Sequence, residues 1–390
     1  AAPEPNPFGA TRAEQCARPA RPQMNASARS AFQTGLAASQ RGDNAAAQQS
    51  FIRALGEDSR AYRAAYNLGV LADRAGNEAQ ALDYYRQALR VLPDFELAAE
   101  GIVNIQLRRN QVNEAVALVA PIAQANRSNL AIQALHARVL GEASQYDASW
   151  AAARRALECD ERYVPALLAL VRTSLRQNRT DLAESILTQA IGIDNTNAEA
   201  HFIRGVMYRG QSGRLREALE SFARAVELRP DYVEARVALG LQQLAGGNYE
   251  QAISQFESAL RLAPTLTAVH LNLADALRSA RQWERAKAEF DIAMRMEPNL
   301  AEVHFNLGLM YQSAGADSGV FPGLTTLQTL QKAVEEFTTY RNMMGPRLPR
   351  GDVTETYLAT LQRQIERMQR MLEREARARQ EEGARGESTP

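Results

Sequence analysis

Residues 62–95 read YRAAYNLGVLADRAGNEAQALDYYRQALRVLPDF, and this stretch decides the fold. Apolar residues recur at three- and four-residue spacing before and after the pair Gly76-Asn77, which predicts two amphipathic helices with a break between them. Pro93 predicts the end of the second helix, because proline cannot continue a helix. The stretch therefore predicts a helical hairpin.

The small residues of this hairpin return along the chain in a nearly constant register. In steps of 34 residues, with one step of 35, a first ladder comprises Ala47, Ala81, Ala115, Ser149, Ala183, Ala218, Ala252 and Ala286. A second ladder, seven residues downstream, comprises Ala54, Ala88, Ala156, Ala190, Ala225, Ala259 and Ala293. A third, about twelve residues upstream of the first, comprises Gly35, Gly69, Gly205, Gly240 and Gly308. Such a period is typical of a stack of identical supersecondary units.

An aromatic residue follows the first ladder at a distance of four residues in five hairpins, at Phe51, Tyr85, Phe222, Phe256 and Phe290. The small residues lie where two helix axes must approach within about 8 Å, so a larger side chain would wedge the helices apart at a cost of about 1–3 kcal/mol. We expect the aromatic side chain to fill the gap between adjacent hairpins.

The combination of these residues resembles the tetratricopeptide repeat. The motifs that carry the resemblance are NLG at 67–69, ALG at 238–240, NLA at 272–274 and NLG at 306–308, with repeat-ending prolines at Pro93, Pro230, Pro264 and Pro298. The resemblance implies an all-α fold, a right-handed α-solenoid (superhelix) of about nine helix–turn–helix repeats plus a C-terminal helix. In register, the solenoid covers 28–344, with repeats at 28–61, 62–95, 96–129, 130–163, 164–197, 198–232, 233–266, 267–300 and 301–344.

The repeats are not uniform. The third, fourth and fifth have Val103, Ala137 and Val171 where others have the glycine of the first helix. The ninth repeat is interrupted by an insertion at 315–323. We align Ala333 and Phe337 with the alanine ladder and the aromatic position of its second helix.

Two segments flank the solenoid. Residues 1–27 are rich in proline and alanine and predict an extended tail. Residues 352–380 predict a last amphipathic helix, which caps the stack, fills its groove or docks a partner; the sequence leaves these roles open. Residues 381–390 predict a disordered tail.

The bulk composition excludes several classes of protein. The 45 basic and 45 acidic residues among 390 give a net charge of zero, without the basic stripe of a nucleic-acid binder. No apolar run approaches the roughly 18–20 residues of a transmembrane helix. The start AAPEPNPFG lacks methionine, which is compatible with a lipid anchor or signal peptide upstream of residue 1 and equally with a trimmed chain.

The two cysteines are Cys16 and Cys159. As a disulfide, they would tie the N-terminal tail to a mid-chain helix and indicate an oxidising compartment. Unpaired, Cys159 would be a small core residue and Cys16 a free thiol. Spacing in the sequence does not decide between the two.

Candidate catalytic and metal-binding residues are few. His201, His270 and His304 each occupy the fourth position of a repeat, where the family usually has a large aromatic residue. Neighbouring hairpins are about 10 Å apart, whereas zinc needs its ligands about 2 Å from one point. We interpret these histidines as packing residues and predict no metal site, no cofactor and no enzymatic activity.

The resemblance implies that the first helices of the repeats line a concave groove. Asparagines at the sixth repeat position are either peptide-binding, since an amide both donates and accepts, or simply repeat consensus: Asn67, Asn272 and Asn306. In repeats six to nine the groove positions are apolar, at Phe202, Val206, Val237, Leu241, Leu244, Leu271, Phe305 and Leu309. In repeats two to five they are polar and include Arg138, Arg172 and Arg176. An exposed apolar strip indicates a protein partner, a peptide or an amphipathic helix, unless the C-terminal helix fills it.

Two functions fit this sequence. The first is a scaffold in a bacterial cell-envelope machine for pilus assembly, secretion or gliding motility, in the periplasm or at the outer membrane. The second is a cytoplasmic regulatory or chaperone-like adaptor. The lysines with which some family members clamp C-terminal carboxylates are missing from the first three repeats, which disfavours a chaperone-tail receptor. The oligomeric state is left open.

Overall fold

The computed structural model describes residue 16, residues 20–316 and residues 321–386. In this part of the chain it has nineteen α-helices and one short 3-10 helix, Gly345–Arg347. The α-helices are α1 Ala26–Gln40, α2 Asn44–Glu57, α3 Tyr62–Arg74, α4 Glu78–Val91, α5 Glu96–Arg108, α6 Val112–Ala125, α7 Leu130–Glu142, α8 Tyr146–Cys159, α9 Val164–Arg176, α10 Thr180–Ile193, α11 Ala198–Arg209, α12 Leu215–Leu228, α13 Val233–Ala245, α14 Tyr249–Leu262, α15 Thr267–Ser279, α16 Trp283–Met296, α17 Ala301–Ala316, α18 Thr326–Met344 and α19 Thr354–Gly386.

Each predicted repeat corresponds to two consecutive helices, from α1 and α2 in the first repeat to α17 and α18 in the ninth. The two helices of a hairpin pack against each other, as α3 does on α4 and α15 on α16. The all-α fold of stacked helical hairpins is therefore confirmed. We call the first helix of each hairpin its A-helix and the second its B-helix.

The two alanine ladders form the centre of the hairpins. Every alanine in both ladders is completely buried, and so is Ser149. The hydroxyl of Ser149 donates to the backbone oxygen of Ala137 (2.7 Å) and lies 2.8 Å from the hydroxyl of Thr173. Because its polar atom is bonded, serine can replace alanine here without an unpaired buried group.

The glycines of the A-helices are required by the aromatic residues of the B-helices. A Cβ added to Gly69 would lie 2.5 Å from the ring of Tyr85, and one added to Gly205 would lie 2.6 Å from the ring of Phe222. The ring thus lies against the glycine of its own hairpin, where we expected it between adjacent hairpins. Tyr85 reaches both places, because a Cβ on Gly101 of the next hairpin would also lie 2.6 Å from its ring.

The turn inside each hairpin repeats one backbone conformation at the period of the ladders. In the first eight hairpins the turn residues with a φ of 57–86° are Gly42, Gly76, Asn110, Ser144, Asn178, Gly213, Gly247 and Arg281. This left-handed region carries no steric penalty for glycine and a modest one for asparagine. A positive φ thus recurs at the turn with the same period as the ladders. Residue type predicts it only in part, because serine and arginine also occupy this position.

The ninth repeat keeps the packing of the others in spite of its insertion. Ala333 and Phe337 are completely buried, and a Cβ on Gly308 would lie 2.8 Å from the ring of Phe337. The alignment of these two residues with the ladders is confirmed. α18 begins with a capping box in which Thr325 and Gln328 exchange hydrogen bonds; residues 317–320 of the insertion lie outside the described residues.

The last helix differs from its predicted bounds. α19 starts at Thr354 and continues to Gly386, so the predicted disordered tail is helical in its first part, 381–386. The reason is the run of strong helix formers after residue 372, EREARARQEE. The N-terminal half of α19 packs on α18, with the Tyr357 ring stacked 5.2 Å from that of Phe337 and Leu361 completely buried. Residues 369–381 are exposed.

The chain divides into two compact units, Ala1–Ala235 and Arg236–Pro390, with the division inside α13. The first unit contains α1 to α12, and the second contains α14 to α19. The predicted single solenoid at 28–344 therefore falls into two units. Most of the predicted tail at 1–27 lies outside the described residues, and α1 already begins at Ala26.

Candidate functional site

The predicted peptide-binding asparagines lie half-buried on A-helices. The side-chain amide of Asn67 donates to the backbone oxygen of Arg63 (2.8 Å), and that of Asn306 donates to the backbone oxygen of Glu302 (3.0 Å). Each bond returns to the preceding turn of the same helix and uses one of the two amide hydrogens. Asn272 occupies the same repeat position on α15.

The predicted apolar groove residues are all half-buried. Phe202 and Val206 belong to the first unit, and the other six belong to the second. Phe202 packs 5.8 Å from Phe222 and 5.1 Å from Tyr232, measured between ring centroids.

Phe305 lies in an aromatic cluster of the second unit, where its ring centroid is 5.5 Å from that of Phe337 and 5.1 Å from that of Tyr340. The ring centroid of Tyr357, in α19, lies 6.2 Å from that of Phe305. The C-terminal helix thus covers Phe305 at the end of the second unit, which accounts for part of the apolar strip within the chain itself.

The three predicted groove arginines are all paired with acids of other repeats. Arg138 donates to Glu100 (3.0 Å) and to the side-chain oxygen of Asn104 (2.7 Å). Arg172 donates to Glu199 (2.8 Å), and Arg176 donates to Glu142. We call Glu100–Arg138, Arg172–Glu199 and Glu142–Arg176 the inner ion pairs.

A cavity of about 310 Å³ opens between the A-helices of the first unit. Its charged lining consists of Glu96, Glu100, Arg138, Arg172 and Glu199, and its apolar lining includes Leu135 and Leu168. Polar groups converging on an apolar recess are the usual composition of a binding site.

The pKa values of the two central acids of this cavity, Glu100 and Glu199, are shifted in opposite directions. The side chain of Glu100 is 45% exposed, but protein walls the recess around it, and this burial raises its pKa despite Arg138. Burial also opposes ionisation of Glu199, but the charge and hydrogen bond of Arg172 outweigh it and lower the pKa of Glu199. Glu199 is therefore the firmly ionised partner, and Glu100 is the one whose charge is poorly compensated.

Sequence reasoning missed the acidic partners. Glu142 and Arg176 both occupy the thirteenth position of successive repeats, and Asn104 and Arg138 both occupy the ninth. Charged or amide residues one period apart at the same repeat position were a readable signal for two of these contacts. Glu199 lies 27 residues from Arg172, off the period, and gave no such signal.

The fourth-position histidines are bonded locally. His270 contacts Glu289 through Nδ1 (2.6 Å) and the backbone oxygen of Pro264 through Nε2 (3.1 Å). His304 contacts Glu336 through Nδ1 (2.7 Å). Each of these glutamates directly precedes an aromatic residue of the B-helix, so the same pair recurs in the eighth and ninth repeats.

His201 has a different environment. Its Nε2 lies 2.9 Å from the backbone oxygen of Asn195, and burial together with Arg204 lowers its pKa. Within residues 16, 20–316 and 321–386 no group of three or more His, Cys, Asp or Glu side chains is arranged to hold a metal ion.

Cys16 and Cys159 form a disulfide in the structure, with Cα atoms 5.7 Å apart. Cys159 is the last residue of α8, so the bond joins the N-terminal segment to the fourth repeat across 143 residues. Among the described helices, none is both long and apolar enough to cross a membrane.

Stacked helical hairpins with small residues at each crossing define an α-solenoid repeat protein. Residues 32–94 and 203–266 match one family model for the tetratricopeptide repeat, and residues 243–307 match a second. The chain is thus a tetratricopeptide repeat protein, as the sequence motifs predict. Such solenoids act as scaffolds for protein–protein interaction.

Solved structures with similar folds share little sequence with this chain. PilF of Pseudomonas aeruginosa is 20% identical, with 61% of this chain and 99% of that chain aligned and a TM-score of 0.48. A tetratricopeptide repeat protein from Parabacteroides merdae is 17% identical over 64% of this chain and 99% of its own, with a TM-score of 0.45. The Cut9–Hcn1 tetramer of the APC/C is 16% identical over 87% and 77%, with a TM-score of 0.43. No curated protein matched the sequence.

Proposed function

We propose that the chain binds a peptide or an amphipathic helix along the exposed faces of its A-helices, as a scaffold in a bacterial cell-envelope machine. The observation that carries the proposal is the cavity of about 310 Å³ among the A-helices of the first unit, with its converging charged groups. The hairpins themselves are held by the buried ladders, so folding does not require charges at this place.

The chemistry of the A-helix faces suits a polypeptide ligand. In the first unit, Glu100 and Glu199 each use one carboxylate oxygen for an arginine, and the second oxygen of a carboxylate can accept from a ligand. In the second unit, Leu241 and Leu271 are half-buried side chains at groove positions. Apolar strips beside polar groups are typical of surfaces that receive a helix or an extended peptide.

The disulfide supports the envelope setting. Disulfides persist in oxidising compartments such as the bacterial periplasm and are rare in the cytosol. A bond between Cys16 and Cys159 favours the periplasmic scaffold over the cytoplasmic adaptor.

The binding face is tested by a pulldown from cell-envelope extract, with cross-linking and mass spectrometry. We expect the double variant Leu241→Glu, Leu271→Glu to lose partners that wild type retains. The matched control is Ile52→Glu, Leu215→Glu, which adds the same two charges at exposed apolar side chains of B-helices. Partners that survive the first variant, or that are lost equally in both, would contradict binding along the A-helices of the second unit. Partners that also survive Glu100→Gln, Glu199→Gln, which alters the acids of the cavity, would contradict binding at the first unit.

The compartment is tested by mass spectrometry of the natively expressed protein under non-reducing conditions, after cell fractionation. We expect the Cys16–Cys159 bond in protein recovered from the periplasmic or outer-membrane fraction. Two free thiols in a cytoplasmic fraction would instead establish the cytoplasmic adaptor.

A further inference from the structure

Three residues near the N-terminus are each anchored to a different junction between repeats. Cys16 is bonded to Cys159 at the end of α8. One guanidinium nitrogen of Arg21 donates to both carboxylate oxygens of Glu96, at 3.1 and 2.8 Å. Glu96 is the first residue of α5. We call these three anchored residues, Cys16, Arg21 and Asn25, the N-terminal strap.

The third anchor holds the strap at the end of the first repeat. The backbone N–H of Asn25 donates to Asp58 (2.9 Å), and its side-chain amide donates to the backbone oxygen of Glu57 (2.7 Å). The backbone N–H groups of Asn25 and Arg60 lower the pKa of Asp58, so the anchor accepts at a carboxylate that is ionised at neutral pH.

From Cys16 to Asn25, the anchors contact successively earlier repeats of the stack. Asp58 lies between the first and second repeats, Glu96 between the second and third, and Cys159 between the fourth and fifth. Neighbouring helices pack about 8–10 Å apart, so three repeats cover about 24–30 Å. Nine residues reach about 30 Å when fully extended. The strap therefore has little slack to let these junctions move apart.

A connection that spans several repeats is unusual in a solenoid protein. In a solenoid each repeat contacts its neighbours, so each junction bends independently of the others. The strap adds a covalent tie across these junctions, beside the ion pair of Arg74 with Asp231 in the same unit. It also holds Glu96, whose side chain is 20% exposed and which lines the cavity of the first unit.

We propose that the N-terminal strap is a brace released by reduction, which sets the curvature of the first four repeats. With the disulfide intact, the junctions are held at one angle and Arg21 neutralises Glu96. When the bond is broken, the junctions bend freely and Glu96 becomes available at the edge of the cavity. Both cysteines are half-buried, so a reductant has access to them.

The releasing reaction is thiol–disulfide exchange with a dithiol reductant. One thiolate of the dithiol attacks the sulfur of Cys16 or Cys159, the S–S bond breaks, and a mixed disulfide forms. The second thiol of the reductant then displaces the remaining cysteine. The dithiol ends as its own disulfide, and its two electrons and two protons end on Cys16 and Cys159 as two thiols.

The proposal is tested on the full chain by hydrogen–deuterium exchange, with and without dithiothreitol, together with small-angle scattering. After reduction we expect amides at residues 58–62 and 92–98 to exchange about ten-fold faster or more, as local opening loses the restraint of the tie. Residues 194–198, at the junction between α10 and α11 beyond the strap, serve as the internal control and should not change. The radius of gyration should increase.

Unchanged exchange at the first two junctions would overturn the proposal. Equal acceleration at all junctions would overturn it as well, because the disulfide would then act on global stability alone. Cys16→Ser should reproduce the reduced behaviour without dithiothreitol and should not respond to it. Because residue 16 precedes α1, this variant keeps every helix-forming residue, and far-UV circular dichroism verifies its fold. In the oxidised protein, Arg21→Ala should accelerate exchange at residues 92–98 while 58–62 stays protected.

Discussion

At the scale of the residue, the repeat depends on glycines that face aromatic rings. The Gly69→Ala substitution adds a methyl group that would lie 2.5 Å from the Tyr85 ring. Since the Tyr85 side chain is only 2% exposed, we expect the free energy of unfolding to fall by about 1–3 kcal/mol. Urea denaturation followed by circular dichroism measures the change.

The matched control for this substitution is Gly56→Ala in α2. A Cβ on Gly56 meets nothing within 4 Å, so alanine should stabilise the helix by about 0.5–1 kcal/mol. Opposite signs for the two variants would separate close packing from helix propensity. Two stabilising variants would contradict the steric role of Gly69.

Ser144 is the second residue-scale test, because it has a φ of 59° at a turn where most other repeats place glycine or asparagine. Ser144→Gly should raise the free energy of unfolding by about 0.5–1 kcal/mol, since the left-handed strain of a β-carbon is removed. Ser30→Gly in the interior of α1 serves as the control and should lower it by about 0.5 kcal/mol. Thermal and urea unfolding compare both variants with wild type; a loss of stability in Ser144→Gly would refute the explanation.

At the scale of the element, α19 has two halves with different roles. The N-terminal half covers α18 through Tyr357 and Leu361, while the side chains of 369–381 are exposed. Leu361→Ala should therefore destabilise the second unit by about 2–5 kcal/mol through a cavity. Deletion of 369–386 should change stability by no more than about 0.5 kcal/mol.

Both variants of α19 are measured by urea unfolding with the fluorescence of Trp283, which begins α16 in the second unit. A deletion as costly as Leu361→Ala would mean that the exposed half of the helix contributes to the fold. The exposed half carries Met371 and Leu372, at 51% and 44% exposure, among mostly charged and polar residues.

At the scale of the whole molecule, the disulfide belongs to one of two compact units. Closing a long loop in the unfolded chain stabilises the native state by about 2–4 kcal/mol. Reduction should therefore destabilise the first unit and leave the second unchanged. The two tryptophans report on the units separately, since Trp150 lies in α8 and Trp283 in α16.

The measurement uses Trp283→Phe to follow the first unit and Trp150→Phe to follow the second, each in urea with and without dithiothreitol. We expect the midpoint to fall on reduction in Trp283→Phe and to stay constant in Trp150→Phe. Equal shifts would show that the chain unfolds as one cooperative body, contrary to the nearest-neighbour coupling expected of a repeat protein.

Much of the fold could be predicted from the sequence because the contacts that produce it are local and periodic. Each ladder residue packs against partners inside its own hairpin or the next one, so one register predicts all nine hairpins. The candidate site was harder. Arg176 and Glu142 share a repeat position, and their contact was readable from the period. Arg172 and Glu199 are not in register, and neither residue by itself indicates the other.

Contacts between residues far apart in the chain could not be predicted from any pattern in the sequence. Arg74 of α3 donates to Asp231 (2.9 Å), 157 residues away within the first unit. A contact of this kind depends on the small rotation between successive repeats, which accumulates over several hairpins. The sequence of one repeat contains no separate signal for that rotation, because it results from the packing of side chains at every junction.

The sequence by itself determined the helical hairpins, their number and the small residues at their crossings, because steric fit between two helices recurs with the chain's own period. Tertiary structure alone decided the ion pairs off the period, the cover of Phe305 by α19, the division into two units and the disulfide between Cys16 and Cys159. These depend on where distant repeats come to lie, and that position is the sum of many small packing angles. The stretch 62–95 thus predicts the packing within and between neighbouring hairpins but not the long-range contacts.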